Sequence, residues 1–298
     1  MSRTVALAAV LCCTGCLGFH RGALPGESKI GQYAEVEGAR VRYTDEGQGA
    51  LPPVVMLHGF GASLETWLGV APGIAKTRRV ITLDLKGFGR SDRPEGDYSP
   101  PAQAKLVLAL LQQLGVDRFA LVAHSWGSSV ALQIALDVPE RVSRIALYDA
   151  WVYEEEEPTF FYWARAPVLG EILFAAYYDQ MQEMKLAAAF YDKKYVTEEM
   201  VEDVERVMDF PGTKAAALAT VRGMRYAEVQ KRYGTIAQPV LLMYGREDTA
   251  TPVSFGERLA TQLPNATLEV YPRCGHLPMV EAHASSTARL MRFLAEDR

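Results

Sequence analysis

The sequence has no surplus of positive charge: 31 Lys and Arg stand against 36 Asp and Glu, for a net charge of −5 over 298 residues. Nothing basic clusters beyond short pairs such as Arg78-Arg79, so a nucleic-acid partner is not expected. Past the N-terminus, no apolar run reaches the roughly 20 residues that a membrane-spanning helix needs. Gly (24) and Pro (16) are too few for a collagen-like or low-complexity chain. No His, Cys and Asp group shows metal-ligand spacing, so neither a metal nor another cofactor is expected. Cysteine is scarce and unevenly placed. An even count of four suggests two disulfides in a secreted protein. Three of the four, however, are Cys12, Cys13 and Cys16, which leaves Cys274 alone in the body of the chain and no disulfide to expect. What the chain does have is 49% hydrophobic residues, enough to exclude disorder and to bury a sizeable core in one large domain or two smaller ones.

The N-terminus reads as a targeting segment. Met1-Ser2-Arg3-Thr4 gives a short basic start, Val5 to Leu11 an apolar stretch, and small residues follow. Thr14-Gly15-Cys16 resembles the lipobox of bacterial lipoproteins, in which the cysteine is lipidated and becomes the new N-terminus; Cys13 replaces the usual Leu. The expectation is a signal over residues 1–16, a lipid on Cys16, a tether over 17–30, and a protein anchored to the cell envelope, at the outer membrane. That anchor is the expected membrane contact, and no protein partner is assigned.

The body alternates two patterns. Tyr33-Ala34-Glu35-Val36 and Arg40-Val41-Arg42-Tyr43 read as a hairpin around Glu37-Gly38. Continuous apolar runs at 53–57, 79–83, 119–123, 144–148, 239–244 and 267–271 read as strands buried on both faces. Helical spacing of apolar residues marks 101–114, 126–136, 254–263 and 282–294. The fold class is therefore α/β, a mostly parallel sheet covered on both faces. Residues 151–235 break the rhythm, with no convincing strand and 15 of the 29 aromatics. They read as a helical cap inserted into a core of 31–150 plus 236–298.

Ala123-His124-Ser125-Trp126-Gly127 lies between a buried strand and an apolar helix. Such a sharp turn lifts a serine above the sheet, and only small residues fit two before and two after it. Ser125 is the candidate nucleophile. His58-Gly59-Phe60-Gly61 follows the 53–57 strand as a Gly-rich turn that can present a backbone donor. The N–H groups of Phe60 and Trp126 are the candidate oxyanion hole, and His58 is expected to hold its loop by hydrogen bonds. His276, on the loop after the last strand, is the candidate base; His20 lies in the tether, His124 is expected to point away along the turn, and His283 belongs to the last helix. Asp248, after the 239–244 strand, is the candidate acid that orients it. Glu247 and Asp149 are alternatives.

Together with Asp84-Leu85-Lys86-Gly87-Phe88-Gly89-Arg90-Ser91-Asp92, these segments resemble the α/β-hydrolase fold superfamily over nearly all of residues 31–298. The order Ser125, Asp248, His276 is the order that family uses. The resemblance implies an acyl-enzyme mechanism, with the 84–92 loop as a structural turn. Family dehalogenases and epoxide hydrolases carry Asp where this chain has Ser125, which argues against both. The cap aromatics Phe160, Phe161, Tyr162, Trp163, Tyr177 and Tyr178 are expected mainly to pack the cap's own core, and Glu154 to Glu157 to form a solvated face. The main expectation is a serine hydrolase of a carboxylic ester of a small or medium apolar molecule. A C–C bond hydrolase of ring-cleavage products, an aminopeptidase-like enzyme reading an amine with cap carboxylates, and a tethered binding protein are the alternatives.

Overall fold

A computed structural model of the chain describes residues 30–178, 180 and 182–297. The expected signal, Cys16 and nearly all of the expected tether lie outside them. Eight strands form one sheet in the order β1-β2-β4-β3-β5-β6-β7-β8. They are β1 (Gln32–Val36), β2 (Ala39–Glu46), β3 (Val54–Leu57), β4 (Val80–Leu83), β5 (Phe119–His124), β6 (Val142–Tyr148), β7 (Val240–Gly245) and β8 (Ala266–Tyr271). The β1–β2 hairpin turns at Glu37 and Gly38, both at positive φ, and β2 runs antiparallel to β4. All other pairings are parallel.

Successive strand residues point to opposite faces. Val55, Leu57, Leu121, Ala123, Ile145 and Leu147 join one core cluster, under α2 (Pro100–Gln113) and α3 (Gly127–Asp137). Their neighbours Val54, Met56, Ala120, Val122, Ala146 and Tyr148 join the other, with Ile74 of the short helix α1 (Ala71–Ala75) and with Leu290, Phe293 and Leu294 from the chain's last helix. This two-sided burial explains why β3, β5 and β6 read as unbroken apolar runs. The run at 267–271 differs. β8 is the sheet's edge, and its residues are only partly buried because no strand covers its outer side.

Between β6 and β7 the described chain is helical: α4 (Thr159–Ala164), α5 (Leu169–Tyr177), α6 (Gln182–Ala189), α7 (Glu198–Met208) and α8 (Thr213–Gly223), joined by turns. Ala164, Phe174, Tyr178, Ala217, Leu218 and Val221 make a small core of their own. Tyr162, Trp163 and Tyr177 do not join it. They are 69%, 55% and 61% exposed, because α4 and α5 turn Ala164 and Phe174 inward and leave the opposite face open. After β7 come α9 (Val253–Gln262), α10 (Pro278–Glu281) and α11 (His283–Ala295).

The connections from β3 run to β4 on one side and then, after α2, to β5 on the other. That reversal opens a crevice above the carboxyl ends of β3 and β5, where ligands of such sheets bind. The loop after β3 and the turn after β5 meet there. A Cβ on Gly59 would come within 3.0 Å of the Ser125 Cβ, and one on Gly127 within 2.3 Å of the His58 carbonyl oxygen. Gly127→Ala should therefore force strand and helix apart. The expected cost is about 1–3 kcal/mol in a denaturant melt; an unchanged melt would contradict the close approach.

Candidate active site

Ser125 follows β5 at φ 50°, in the left-handed region that residues with a side chain avoid. Its neighbours leave it little choice. The Ser125 N–H donates to the Tyr148 carbonyl at 2.9 Å, and its own carbonyl accepts from Trp151 (3.1 Å) and Ser128 (2.9 Å). The serine thus stands at the N-terminus of α3, nearly buried at 4% exposure.

The loop carrying Phe60 lies beside it, and the ring of His58 holds that loop. His58 Nδ1 donates to the Gly59 carbonyl (2.7 Å), and Nε2 accepts from the Leu85 N–H (2.9 Å). Those two bonds specify a neutral tautomer, and burial lowers the His58 pKa to about 4. The loop's other support is Asp84, whose carboxylate accepts from Leu64 N–H and Arg90 N–H (both 2.7 Å) and pairs with the buried Arg42 at 2.7 Å.

His276 and Asp248, 28 residues apart in sequence, meet at 2.7 Å between Nδ1 and Oδ2. Thr251 Oγ1 also donates to that Oδ2 (2.6 Å), and the Ala250 N–H to Oδ1 (2.7 Å). Burial opposes the Asp248 charge, but the His276 ring and these donors outweigh it and hold the carboxyl well below the usual range. The Glu247 carboxylate instead accepts from the Cys274 N–H at 2.9 Å and is not at the imidazole. Asp149, after β6, sits against Asp248. The ligand atoms of Asp149, Asp248 and His276 all lie within 4.8 Å of one another. Sequence spacing did not show this grouping, in which the bond between His276 and Asp248 already engages two of the three side chains. A cation there would have to displace the bond between His276 and Asp248.

His124 corrects an expectation. It does not point away: its Nε2 donates to the His276 carbonyl at 2.8 Å, and the two rings lie 4.7 Å apart. It thereby ties the His276 loop to the serine turn. Glu281 is a second tie that the sequence did not suggest, accepting from the N–H groups of Gly275 (2.7 Å), Tyr191 (3.1 Å) and Asp192 (2.8 Å). It joins the His276 loop to the cap, as does the bond from His276 N–H to the Ala189 carbonyl (2.7 Å). On the other side, Phe60 packs against Phe161 (5.2 Å between centroids) and Tyr178 (6.2 Å) of the cap, and against Phe88 and Trp126 below.

The glutamate run is not a simple solvated face. Glu156 is buried because its carboxylate caps the Val152 and Tyr153 N–H groups, both at 2.7 Å, and burial pushes it up to about 8. Glu157 pairs with Arg165, and Glu155 with Arg258.

A family model described as alpha/beta hydrolase fold matches residues 52–282. The chain belongs to that family. This hydrolase is 31% identical over 283 residues to a 2-hydroxymuconate semialdehyde hydrolase of Pseudomonas sp. strain CF600, covering 90% of this chain and 95% of the relative. It is 30% identical over 270 residues to a 2-hydroxy-6-oxo-6-phenylhexa-2,4-dienoate hydrolase of Burkholderia cepacia, covering 86% and 91%. Among solved structures, a meta-cleavage product hydrolase from Pseudomonas fluorescens IP01 superposes with a TM-score of 0.77 at 26% identity, covering 90% of this chain and 99% of that one.

The two buried histidines of the hydrolase make its stability pH-dependent. His58 stays neutral when folded down to about pH 4, and His124, desolvated and facing His276, to about 3. Unfolded, both take a proton near pH 6.5. The unfolded chain binds more protons below that point, so stability is lost as pH falls from about 6.5 toward 4. His58 alone accounts for about 3 kcal/mol of that loss. In denaturant melts at neutral pH and at about pH 4.5, His58→Asn should lose less than the wild type between the two conditions. Equal losses would contradict the assignment.

Proposed function

We propose that the chain is a serine hydrolase that cleaves a carboxylic ester, or a similar acyl bond, of a small to medium apolar molecule. The observation that carries this reading is the strained, over-tied Ser125 turn, joined through its neighbour His124 to the loop of the His276–Asp248 pair. Ser125 Oγ is the nucleophile. With Nδ1 committed to Asp248, His276 Nε2 is the nitrogen that takes the Ser125 proton and later activates water. Asp248 fixes the tautomer and balances the imidazolium. The N–H groups of Phe60 and Trp126 bind the oxyanion of the tetrahedral intermediate.

A second reading, hydrolysis of a C–C bond in a ring-cleavage product, is favoured by the names of the two relatives. The same serine machinery serves it. The Burkholderia relative's substrate is named as a dienoate, so it carries a carboxylate that a pocket must match with a donor or a cation. The rings packed around Phe60 are uncharged: Phe88, Trp126, Phe161 and Tyr178. An apolar wall of this kind suits a neutral acyl or alcohol group, and it ranks the ester first. Glu155, Glu156 and Glu157 have partners of their own, which speaks against an amine-reading aminopeptidase. The lipobox-like Cys16 supports a lipid anchor that holds this enzyme at the cell envelope.

Two experiments test this reading. A short-chain aryl ester and a ring-cleavage dienoate are offered to the protein lacking residues 1–16. Turnover of the ester, abolished in Ser125→Ala, is expected; turnover of the dienoate alone would transfer the assignment to the second reading, and turnover of neither would refute both. In membrane fractionation, Cys16→Ser should move the full-length protein to the soluble fraction, and unchanged membrane association would sink the lipid anchor.

A further inference from the structure

Asp149 has no role in the mechanism above, yet it occupies an unusual place. It follows the last residue of β6 at φ 41°, a left-handed conformation that costs a non-glycine residue about 1 kcal/mol or more. Its N–H donates to the Met243 carbonyl at 2.9 Å, and the residue is completely buried. One side-chain oxygen, Oδ1, accepts from the Gly245 N–H at 2.9 Å. The other, Oδ2, is sealed from solvent and meets no donor among the described residues. What it lies near is a second carboxyl: an oxygen of Asp149 and one of Asp248 come within 4.8 Å of each other.

Two ionised carboxylates cannot share so small a buried space. The donors decide which one keeps its charge. Asp248 has three: His276 Nδ1, Thr251 Oγ1 and the Ala250 N–H. Asp149 has one, and its second oxygen is buried without a donor among the described residues. Other charged or titratable groups do not change the balance. Glu281, from α10, adds a further negative charge, and Cys274 faces the same space as a buried thiol. Tyr244 is occupied, its hydroxyl donating to the Ala150 carbonyl at 3.0 Å.

We propose that Asp149 is a positioning residue that remains a neutral carboxylic acid and donates its Oδ2 proton to the Asp248 carboxylate. Burial and the Asp248 charge act in the same direction on it, well above the ordinary carboxylate range. The role follows from the geometry. Asp248 must keep one orientation while His276 gains and loses a proton in each half of the cycle. Its Oδ1 is held by Ala250 and its Oδ2 by Thr251 and His276, all from the β7 loop and the loop after β8. Asp149 adds a donor from a third element, β6, which also carries the Ser125 N–H bond through Tyr148. One strand end would thus register the acid and the serine against each other.

The role in turnover rests on the serine-hydrolase reading, so the test has one arm that does not. In Asp149→Leu the donor is lost, and kcat on the aryl ester should fall about 10- to 100-fold with KM nearly unchanged. Asp149→Asn keeps an acceptor for Gly245 and a donor for Asp248, and should recover most of that loss. Independently of activity, infrared spectra at neutral pH should show a protonated-carboxyl C=O band that Asp149→Asn removes. Glu156, pushed up to about 8, contributes a separate band that only Glu156→Gln removes. Loss of no band in Asp149→Asn would overturn the protonated state even if the protein hydrolyses nothing. Wild-type kcat in Asp149→Leu, or a loss in Asp149→Asn equal to that in Asp149→Leu, would overturn the positioning role. If Asp149→Leu does not fold, the kcat of Asp149→Asn and the infrared arm still decide.

Discussion

The backbone of Ser125 is tied at three points, to Tyr148, Trp151 and Ser128, and these bonds hold a serine at a φ of 50° that it would not choose. Such a conformation costs about 1–3 kcal/mol and survives only where its surroundings over-determine it. Here the surroundings are the core itself. β5 is buried between two clusters, β6 supplies the acceptor for the serine N–H, and α3 starts two residues on. Gly127 and Gly59 exist as glycines because strand, helix and the neighbouring loop meet at backbone distance. Fold stability and site geometry are in this sense one quantity.

Around that turn, buried polar groups divide into those that fix loops and those that hold charge. His58, His124 and Glu281 fix loops, each by bonds to backbone groups several elements away. Asp248 holds charge, because donors converge on it. The cap closes the arrangement from both ends. Ala189 and Tyr191 touch the His276 loop, and Phe161 and Tyr178 touch Phe60. A movement of the cap would therefore be felt at His276 and at the Phe60 loop together.

Much of this was legible in the residues. Period-2 alternation located the β1–β2 hairpin, and continuous apolar runs located the other strands, the central ones because burial on both faces leaves few polar positions in them. The places of Ser125, His276 and Asp248 on the turn and loops after β5, β8 and β7 were legible because small residues and loop positions after strands constrain them locally. The role of His124 was not, because its partner lies 152 residues away in sequence and nothing local points to it. Thr251 was hidden for the same reason, and Asp149, weighed only as an alternative acid, was not expected beside Asp248: both placements depend on β6 and β7 being neighbours in the sheet. Glu156 was misread because a run of four glutamates looks solvated, whereas a short turn needs one of them as a cap. The partial exposure of β8 came from its position at the edge, which the composition of the run does not encode.

The central claim is that Ser125 forms a covalent acyl intermediate. It is tested most directly by mixing the protein with a slowly hydrolysed aryl ester and following the released alcohol and the intact mass together. The account predicts a burst of alcohol equal to the enzyme, and a mass gain of one acyl group that peptide mapping places on Ser125. Steady release without an adduct, or an adduct on another residue, would contradict it.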